Sequence, residues 1–277
     1  ASWLNAFEDF YRNEHTICQA HPKIYEQYPA EMRPQHKTHL PKERGDNFVN
    51  ATFKALRSFF IWANEQDLCN SQPFAKFKMR AERYGTPYYL TIDERNRLAD
   101  FDFSDRPRLA AQRDVFVFQC LVGCRVSDLV RLTKDNIIGN MLEYMPQKTA
   151  ERGEVVRVPL GERALAIIAK YAGQKQLLPT ISPQRYNDAS KDMLRLAGID
   201  RLVTKIDPVS GEDVRKPIWE VASSHIARRT FIGNLYKLVK DPNLIGSMSG
   251  HKDASKSFAR YRAIDDEIKA ETIKLIE

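Results

Sequence analysis

The sequence lacks the features that most quickly assign a protein to a functional class. No stretch of its 277 residues approaches the roughly 18 consecutive apolar positions that a membrane-spanning helix needs. It also contains no Gly-rich phosphate loop and no acidic cluster of the kind that metal-dependent nucleases use. We therefore expect no membrane span, no cofactor and no bound metal.

Cysteine is scarce as well. Only Cys18, Cys69, Cys120 and Cys124 are present; none forms a Cys-x-x-Cys pair, and none stands with histidine at the spacing of a zinc site. Cys120 and Cys124 are one helical turn apart, which favours packing over metal binding. Free thiols of this kind fit a reducing compartment, so we expect a cytoplasmic protein.

What is present is a basic composition typical of a globular protein. The formal net charge is +7, with 43% hydrophobic and 29% charged residues. Residues 201–262 hold twelve Lys and Arg against six Asp and Glu, whereas residues 263–277 hold five acids against two lysines. A local basic excess favours a polyanionic partner such as nucleic acid, although many basic proteins bind none.

The segment before residue 80 is predicted to be helical. Apolar residues recur at helical spacing over 48–66, where Phe59 and Trp62 are predicted to widen the buried face, and an amphipathic helix is expected from Ser2 to about Arg12. Residues 80–89 mix charge, Gly and Pro without periodicity, which indicates a linker. The predicted domains are therefore 1–84 and 85–277.

The second domain is predicted to combine helices with a small sheet. Thr91 and Glu94 form a capping box at the start of a helix. Residues 141–145 and 154–160 alternate as two strands of a hairpin, and 199–221 are expected to be a loop with short strands. Further helices are predicted over 93–102, 109–122, 162–172, 184–197 and 225–239, with shorter ones after Ser127, Asp241 and Asp253.

Several residues of this second domain have chemistry that fits a phosphodiester. His225 and Arg228 are three positions apart, hence on one face of the first turn of a predicted helix, where backbone N–H groups also favour an anion. His251 follows a glycine, and Tyr261 comes ten residues later. Upstream, an arginine stands in the turn between two helices and a lysine stands in the hairpin, at Arg125 and Lys148.

This set resembles the active site of the tyrosine recombinase (phage integrase) family. That family has an arginine in a Gly-x-Arg-x-Ser-Glu-like box, a hairpin lysine, a His-x-x-Arg pair, a Gly-His pair and a tyrosine. Asp128 stands here where Glu is commoner, and Cys124 where an apolar residue is usual. The resemblance covers residues 85–265. Within it, the segment 227–231 looks most like the integrases of bacterial conjugative elements. The matching positions are Arg125, Lys148, His225, Arg228, His251 and Tyr261.

The resemblance implies a fold, an activity and partners. The fold would be mainly α with a small β component, with a helical core-site DNA-binding domain followed by an α+β catalytic domain. The enzyme would cleave and rejoin double-stranded DNA through a 3′-phosphotyrosyl intermediate, without metal or ATP, in association with a bacterial nucleoid. Four protomers would assemble on two DNA sites, and a tail helix at about 264–277 would dock onto a neighbouring protomer.

Physical chemistry gives each matched residue a role. Tyr261 would attack the phosphorus. Arg125 and Arg228 suit the non-bridging oxygens, because a guanidinium stays charged and binds bidentately. His225 is the candidate to accept the tyrosine proton, and His251 is the candidate to hydrogen-bond the phosphate.

Lys148 fits the acid that protonates the leaving 5′-oxygen, but a lone hairpin lysine is more often simply solvated. His225 could likewise be a surface histidine. Arg131 and Arg229 could contact DNA, although we expect solvated or salt-bridged roles for them. Two aromatic residues are expected in the core rather than stacked on bases, namely Phe59 and Trp62.

Two other functions remain open from the sequence. A monomeric type IB topoisomerase uses the same chemistry, but it would not need a tail that bridges protomers. A DNA-binding protein that has lost catalysis is the other alternative. The complete set of six residues argues against it, because drift would be expected to remove at least one of them.

Overall fold

The computed structural model of the chain describes residues 2–23, 41–239, 241–251 and 273. Tyr261, the predicted short helix leading to it, and the predicted tail helix apart from residue 273 lie outside these residues. Within the described ranges, no helix is long and apolar enough to cross a membrane.

The chain divides into two compact units. The first comprises Ala1–Gly85 with Lys205–Val214, and the second comprises Thr86–Thr204 with Arg215–Glu277. The segment 205–214 had been predicted as part of the second domain, yet it groups with the first unit. Arg83 Nη1, for example, donates a hydrogen bond of 3.3 Å to the carbonyl oxygen of Gly211.

Two helices and an aromatic cluster form the core of the first unit. Helix α1 (Ser2–Ala20) extends well beyond its predicted end at about Arg12, and α2 (Asp46–Glu65) packs against it. The ring of Phe53 stacks on that of Phe77 with centroids 5.0 Å apart. The buried residues of this core are Leu4, Val49 and Phe53, with Phe7, Tyr11, Phe74, Phe77 and Met79 packed around them.

The buried face of α2 is narrower than predicted. Val49, Phe53 and Ala63 are buried, but Phe59 and Trp62 are 54% and 49% exposed, so the expectation that these two aromatics belong to the core is wrong. At about 100° of rotation per residue, position 62 points opposite to position 53, and position 59 points to the flank. Phe59 and Trp62 are spaced as neighbours on one side of a helix, but that side is not the buried side of α2.

The second unit begins with three helices that lead to the site. In α3 (Ile92–Asp100), the predicted capping box between Thr91 and Glu94 is present in both directions. Helix α4 (Pro107–Val122) is buried along much of its length. It ends at a glycine and is followed by the short helix α5 (Val126–Leu129).

A three-stranded antiparallel sheet follows, in the order β1–β2–β3. Strands β2 (Met141–Tyr144) and β3 (Val156–Pro159) form the predicted hairpin, whereas β1 (Ile137–Ile138) was not predicted because two residues show no alternation. Leu142, Tyr144, Val156 and Val158 are buried on one face. The connection contains a short 3₁₀ helix, Gln147–Arg152.

The remaining elements complete a mainly α unit with small sheets, as predicted. Helices α4 and α8 (Ser224–Val239) pack together at its centre, with α7 (Pro183–Leu196) against both. Strands β4 (Leu202–Ile206) and β5 (Asp213–Pro217) form a two-stranded sheet, and each strand has residues in both units. In chain order these elements are α6 (Glu162–Lys170), α7 (Pro183–Leu196), β4 (Leu202–Ile206), β5 (Asp213–Pro217), α8 (Ser224–Val239) and α9 (Pro242–Ser249).

Candidate active site

Arg125 is positioned by a sharp turn after α4. Gly123 ends that helix with φ +68°, and a Cβ at this position would lie 2.2 Å from the ring of Phe231, so both the conformation and the space require glycine. The turn brings Arg125 Nη2 within 3.2 Å of the carbonyl oxygen of Gly250, to which it donates. Its other terminal nitrogen, Nη1, is buried and has no hydrogen-bond partner among the described residues.

Arg228 enters the site from the first turns of α8. Its side chain is almost fully enclosed, with 5% of the residue exposed. Nη1 donates to the carbonyl oxygen of Gly123 at 2.6 Å, and Nη2 lies 3.1 Å from Nδ1 of His251. Burying a guanidinium costs several kcal/mol unless its N–H groups find acceptors, and these contacts supply them.

His251 comes from the turn that ends α9. Gly250 has φ +62°, and a Cβ there would lie 3.1 Å from Val156 and 3.3 Å from Pro146, so glycine allows this turn to approach the hairpin closely. The Nδ1 atom of His251 lies 2.8 Å from the hydroxyl oxygen of Ser249. The buried serine and the guanidinium of Arg228 therefore both contact the imidazole, and both lie nearest its Nδ1 atom.

The electrostatics keep His251 neutral. Burial lowers its pKa to about 3, and the charges of Arg228, Arg125 and Lys148 contribute in that order. Nη2 of Arg228, which can only donate, lies 3.1 Å from Nδ1 and 3.4 Å from Nε2, so the neutral ring accepts from it through one nitrogen and carries its proton on the other.

His225 lies at the exposed start of α8. Partial removal of its ring from water lowers its pKa, and Arg229, Arg228 and Arg125 lower the pKa further through charge repulsion. A histidine kept neutral in this way can accept a proton at neutral pH.

Lys148 is exposed and stands second in the 3₁₀ helix of the hairpin. Its charge is one of the causes of the low pKa of His251, which places the ammonium within electrostatic reach of the site. The start of this helix is held by Asp128, whose buried carboxylate accepts a hydrogen bond of 2.9 Å from the backbone N–H of Gln147.

The structure therefore brings three members of the predicted set together: Arg125 donates to Gly250, and Arg228 donates to Gly123 and lies against His251. The charges of Arg228 and Arg125 act on His225, and the charge of Lys148 acts on His251. The sixth residue, Tyr261, lies outside the described residues. Assigning catalytic roles to the six stays a prediction.

Some supporting residues were missed from the sequence. Gln119 donates to the carbonyl oxygen of Cys124 at 3.0 Å and accepts from the Tyr186 hydroxyl at 2.9 Å, so a buried chain holds the turn before Arg125. A glutamine within the apolar run of α4 was the available indication. Ser249 was missed because serine near a helix end has many ordinary uses.

The two cysteines near this turn have packing roles, as predicted. Cys120 and Cys124 are buried free thiols. Burial raises the pKa of each thiol to about 12, so neither is a ready nucleophile or metal ligand.

The pKa of His251 is expected to rise when an anion binds between Arg125 and Arg228, because the anion offsets two positive charges that disfavour the imidazolium. In the free protein the ring stays neutral at about pH 5, where an ordinary histidine is charged. NMR titration of ¹⁵N-histidine-labelled protein with and without inorganic phosphate measures the shift. A pKa that stays at about 3 in saturating phosphate would contradict anion binding at this place.

Comparison of the sequence with protein-family models and with curated proteins finds no match. The structure, in contrast, is similar to solved structures of tyrosine recombinases. With XerH bound to a palindromic difH substrate, the TM-score is 0.59 at 13% identity over 83% of this chain and 67% of that one. With the Tn1549 transposon integrase (residues 82–397) bound to circular intermediate DNA, it is 0.59 at 15% identity, covering 82% and 79%.

Lambda integrase (residues 75–356), as a dimer on a COC′ core site, matches over nearly the whole chain. The TM-score is 0.56 at 16% identity, covering 96% of this chain and 95% of that one. The chain spans only 59% of the lambda integrase found as a tetramer on a Holliday junction. At such low identities these likenesses establish the fold, which is that of the tyrosine recombinases.

Proposed function

We propose that the protein is a site-specific DNA recombinase that cleaves and rejoins DNA through a 3′-phosphotyrosyl intermediate, without metal or ATP. The observation that carries the proposal is the buried Nη1 of Arg125, a charged donor with no hydrogen-bond partner among the described residues, next to Arg228 and His251. A buried unsatisfied guanidinium nitrogen is costly, and a phosphate oxygen would satisfy it.

A phosphodiester fits this place in both charge and geometry. Arg125 and Arg228 present N–H groups to the non-bridging oxygens, and His251 lies beside Arg228. Fixed donors aimed at developing charge are usually the largest contribution to this kind of catalysis. Because the donors are held by Gly123, Gly250 and Ser249, little reorganisation is needed when the phosphate binds.

The proposed reaction conserves the energy of the phosphodiester. The Tyr261 oxygen attacks the phosphorus while its proton passes to His225. The bond from phosphorus to the 5′-oxygen breaks, and Lys148 gives that oxygen a proton. The products are a 3′-phosphotyrosyl bond and a free 5′-hydroxyl. Attack by another 5′-hydroxyl reverses the steps and rejoins DNA, which explains why no ATP is required.

Covalent trapping tests the proposal. DNA that the protein protects from nuclease digestion would identify the target, and a nicked duplex of that sequence would lose the short 5′-hydroxyl fragment after cleavage. We expect a protein–DNA adduct that survives denaturation and is sensitive to protease. Sequence-specific protection without any adduct would favour a DNA-binding protein that has lost catalysis.

We also propose that the first unit, within residues 1–84, binds the core of the target site and that four protomers act on two sites. Lambda integrase has been solved as a tetramer bound to a Holliday junction, which supports this assembly. In the predicted tail at 264–277, apolar residues recur on one face among acids, a pattern that fits docking onto a neighbouring protomer.

Deleting the residues after Arg262 is therefore expected to spare DNA cleavage by single protomers while impairing recombination between two sites. The tail follows the proposed nucleophile directly, so its loss removes the bridge between protomers and leaves Tyr261 in place. Adduct formation on a single site and strand exchange between two sites measure the two effects separately. Recombination at the normal rate by the truncated protein would mean that the tail has no bridging role.

A further inference from the structure

Arg229 stands beside the proposed active site without a role in it. It is four positions after His225 on α8, so the two side chains share a helix face. Its guanidinium carbon lies 5.3 Å from the centroid of the Tyr88 ring. The residue is half-buried, and it makes no hydrogen bond or ion pair with the part of the chain that the structure describes. Among the described residues it therefore has an aromatic contact and no salt bridge.

Tyr88 is itself held in place. It is half-buried, packs against the core of the second unit and donates a hydrogen bond of 3.4 Å to the carbonyl oxygen of Val221. A guanidinium over an aromatic face gains electrostatic attraction, and the stacking fixes its orientation in advance. Its N–H groups remain available at the edge, which suits an anion better than a freely rotating lysine would.

The charges around this position are positive. The charges of three arginines lower the pKa of His225. Arg229 and Arg228 are on its own helix, and Arg125 comes from the turn before α5. No carboxylate of the described residues acts on this pKa. Arg228 donates to Gly123 and contacts His251, whereas no N–H group of Arg229 has an acceptor among the described residues. A second anion beside the first would balance this surplus.

We propose that Arg229, held over Tyr88, binds a DNA phosphate next to the one that is cut and acts as a positioning residue for His225. This inference rests on the proposed function, because the second phosphate is defined relative to the first. Phosphate binding and the effect on His225 have the same origin. The guanidinium of Arg229 lies on the helix face of His225, where it attracts the DNA backbone and also disfavours protonation of the imidazole.

The first test is the salt dependence of binding to a short random-sequence duplex, followed by fluorescence anisotropy. Arg229→Gln should reduce the slope of log K against log salt by about 0.9, the value for one lost phosphate contact. Arg229→Lys keeps the charge and should keep the slope. Arg163→Gln is a matched control because Arg163 is ion-paired with Asp100; its slope should equal that of the unmodified protein.

The second test is the pKa of His225, measured by NMR on histidine-labelled protein and assigned with His225→Gln. Arg229→Gln should raise the pKa, because a repelling charge is removed, and Arg229→Lys should restore the low value. Tyr88→Leu removes the ring that holds the guanidinium. It should change the salt slope and the pKa of His225 in the same directions as Arg229→Gln, but by smaller amounts. Tyr88→Phe keeps the ring and should resemble the unmodified protein.

Both changes are required by the proposal. If folded Arg229→Gln keeps the salt slope or keeps the pKa of His225, the proposal is wrong. If that variant fails to fold, Tyr88→Leu decides in the same way. Neither readout needs DNA cleavage, so a missing covalent adduct would overturn the proposed enzyme while these measurements would still report separately on Arg229.

Discussion

Replacing Tyr261 with phenylalanine is expected to abolish the covalent protein–DNA adduct completely while leaving DNA affinity nearly unchanged. The hydroxyl supplies the attacking oxygen, and phenylalanine offers no substitute. Binding instead depends on many phosphate and groove contacts, of which one hydroxyl is a small part. Adduct formation on a nicked duplex of the protected sequence measures the first effect, and anisotropy at fixed salt measures the second.

The matched control is Tyr236→Phe, which removes a hydroxyl from a half-buried tyrosine of α8 that has no proposed part in the chemistry. This variant should form the adduct at the normal level. Tyr261 is the only tyrosine after His251, so the sequence leaves no neighbouring substitute. An adduct that survives in Tyr261→Phe would place the nucleophile elsewhere and would contradict the family resemblance at its most specific residue.

Much of the second unit could be predicted because its signals are local. The capping box at Thr91, the glycine stop at Gly123, the alternation in the β2–β3 hairpin and the start at Asp241 each follow from neighbouring residues. Such features depend on backbone conformation and on hydrogen bonds across a few positions. They are therefore readable without knowledge of the fold.

The errors arose where distant parts of the chain decide the outcome. Phe59 and Trp62 have helical spacing, but their exposure depends on which face of α2 meets α1. Residues 205–214 group with the first unit through contacts such as Arg83 with Gly211, which are far apart in sequence. The periodicity of apolar residues shows that a helix has an apolar face, but it does not show which part of the chain covers that face.

The candidate site shows the same division. The order Arg125, His225, Arg228, His251 could be recognised as a pattern, whereas the reason that these residues meet could not. Two carbonyl oxygens form the link, because Gly123 accepts from Arg228 and Gly250 accepts from Arg125. Backbone acceptors have no sequence signature, so the two glycines indicated turns but not the guanidinium contacts that those turns create.

Lys148 is the proposed catalytic residue with the strongest ordinary alternative, since it is exposed on a hairpin connection. If it protonates the leaving 5′-oxygen, its loss should slow cleavage severely, because an alkoxide is a very poor leaving group. Lys148→Ala should cleave ordinary DNA roughly 10²–10⁴-fold more slowly, the usual effect of losing a general acid. A structural or phosphate-binding lysine could produce a similar loss, so a second substrate is needed.

Replacing the bridging 5′-oxygen with sulfur separates these roles. The leaving group is then a thiolate, whose conjugate acid has a pKa of about 8.5, and it departs without a proton. Lys148→Ala should therefore cleave the sulfur-bridged duplex almost as fast as the unmodified enzyme does. Arg228→Lys should show no such rescue, because Arg228 acts on the non-bridging oxygens, whose charge the sulfur does not change. If Lys148→Ala cleaves both substrates equally slowly, Lys148 binds the phosphate or has a structural role. His225 would then be the next candidate for the general acid.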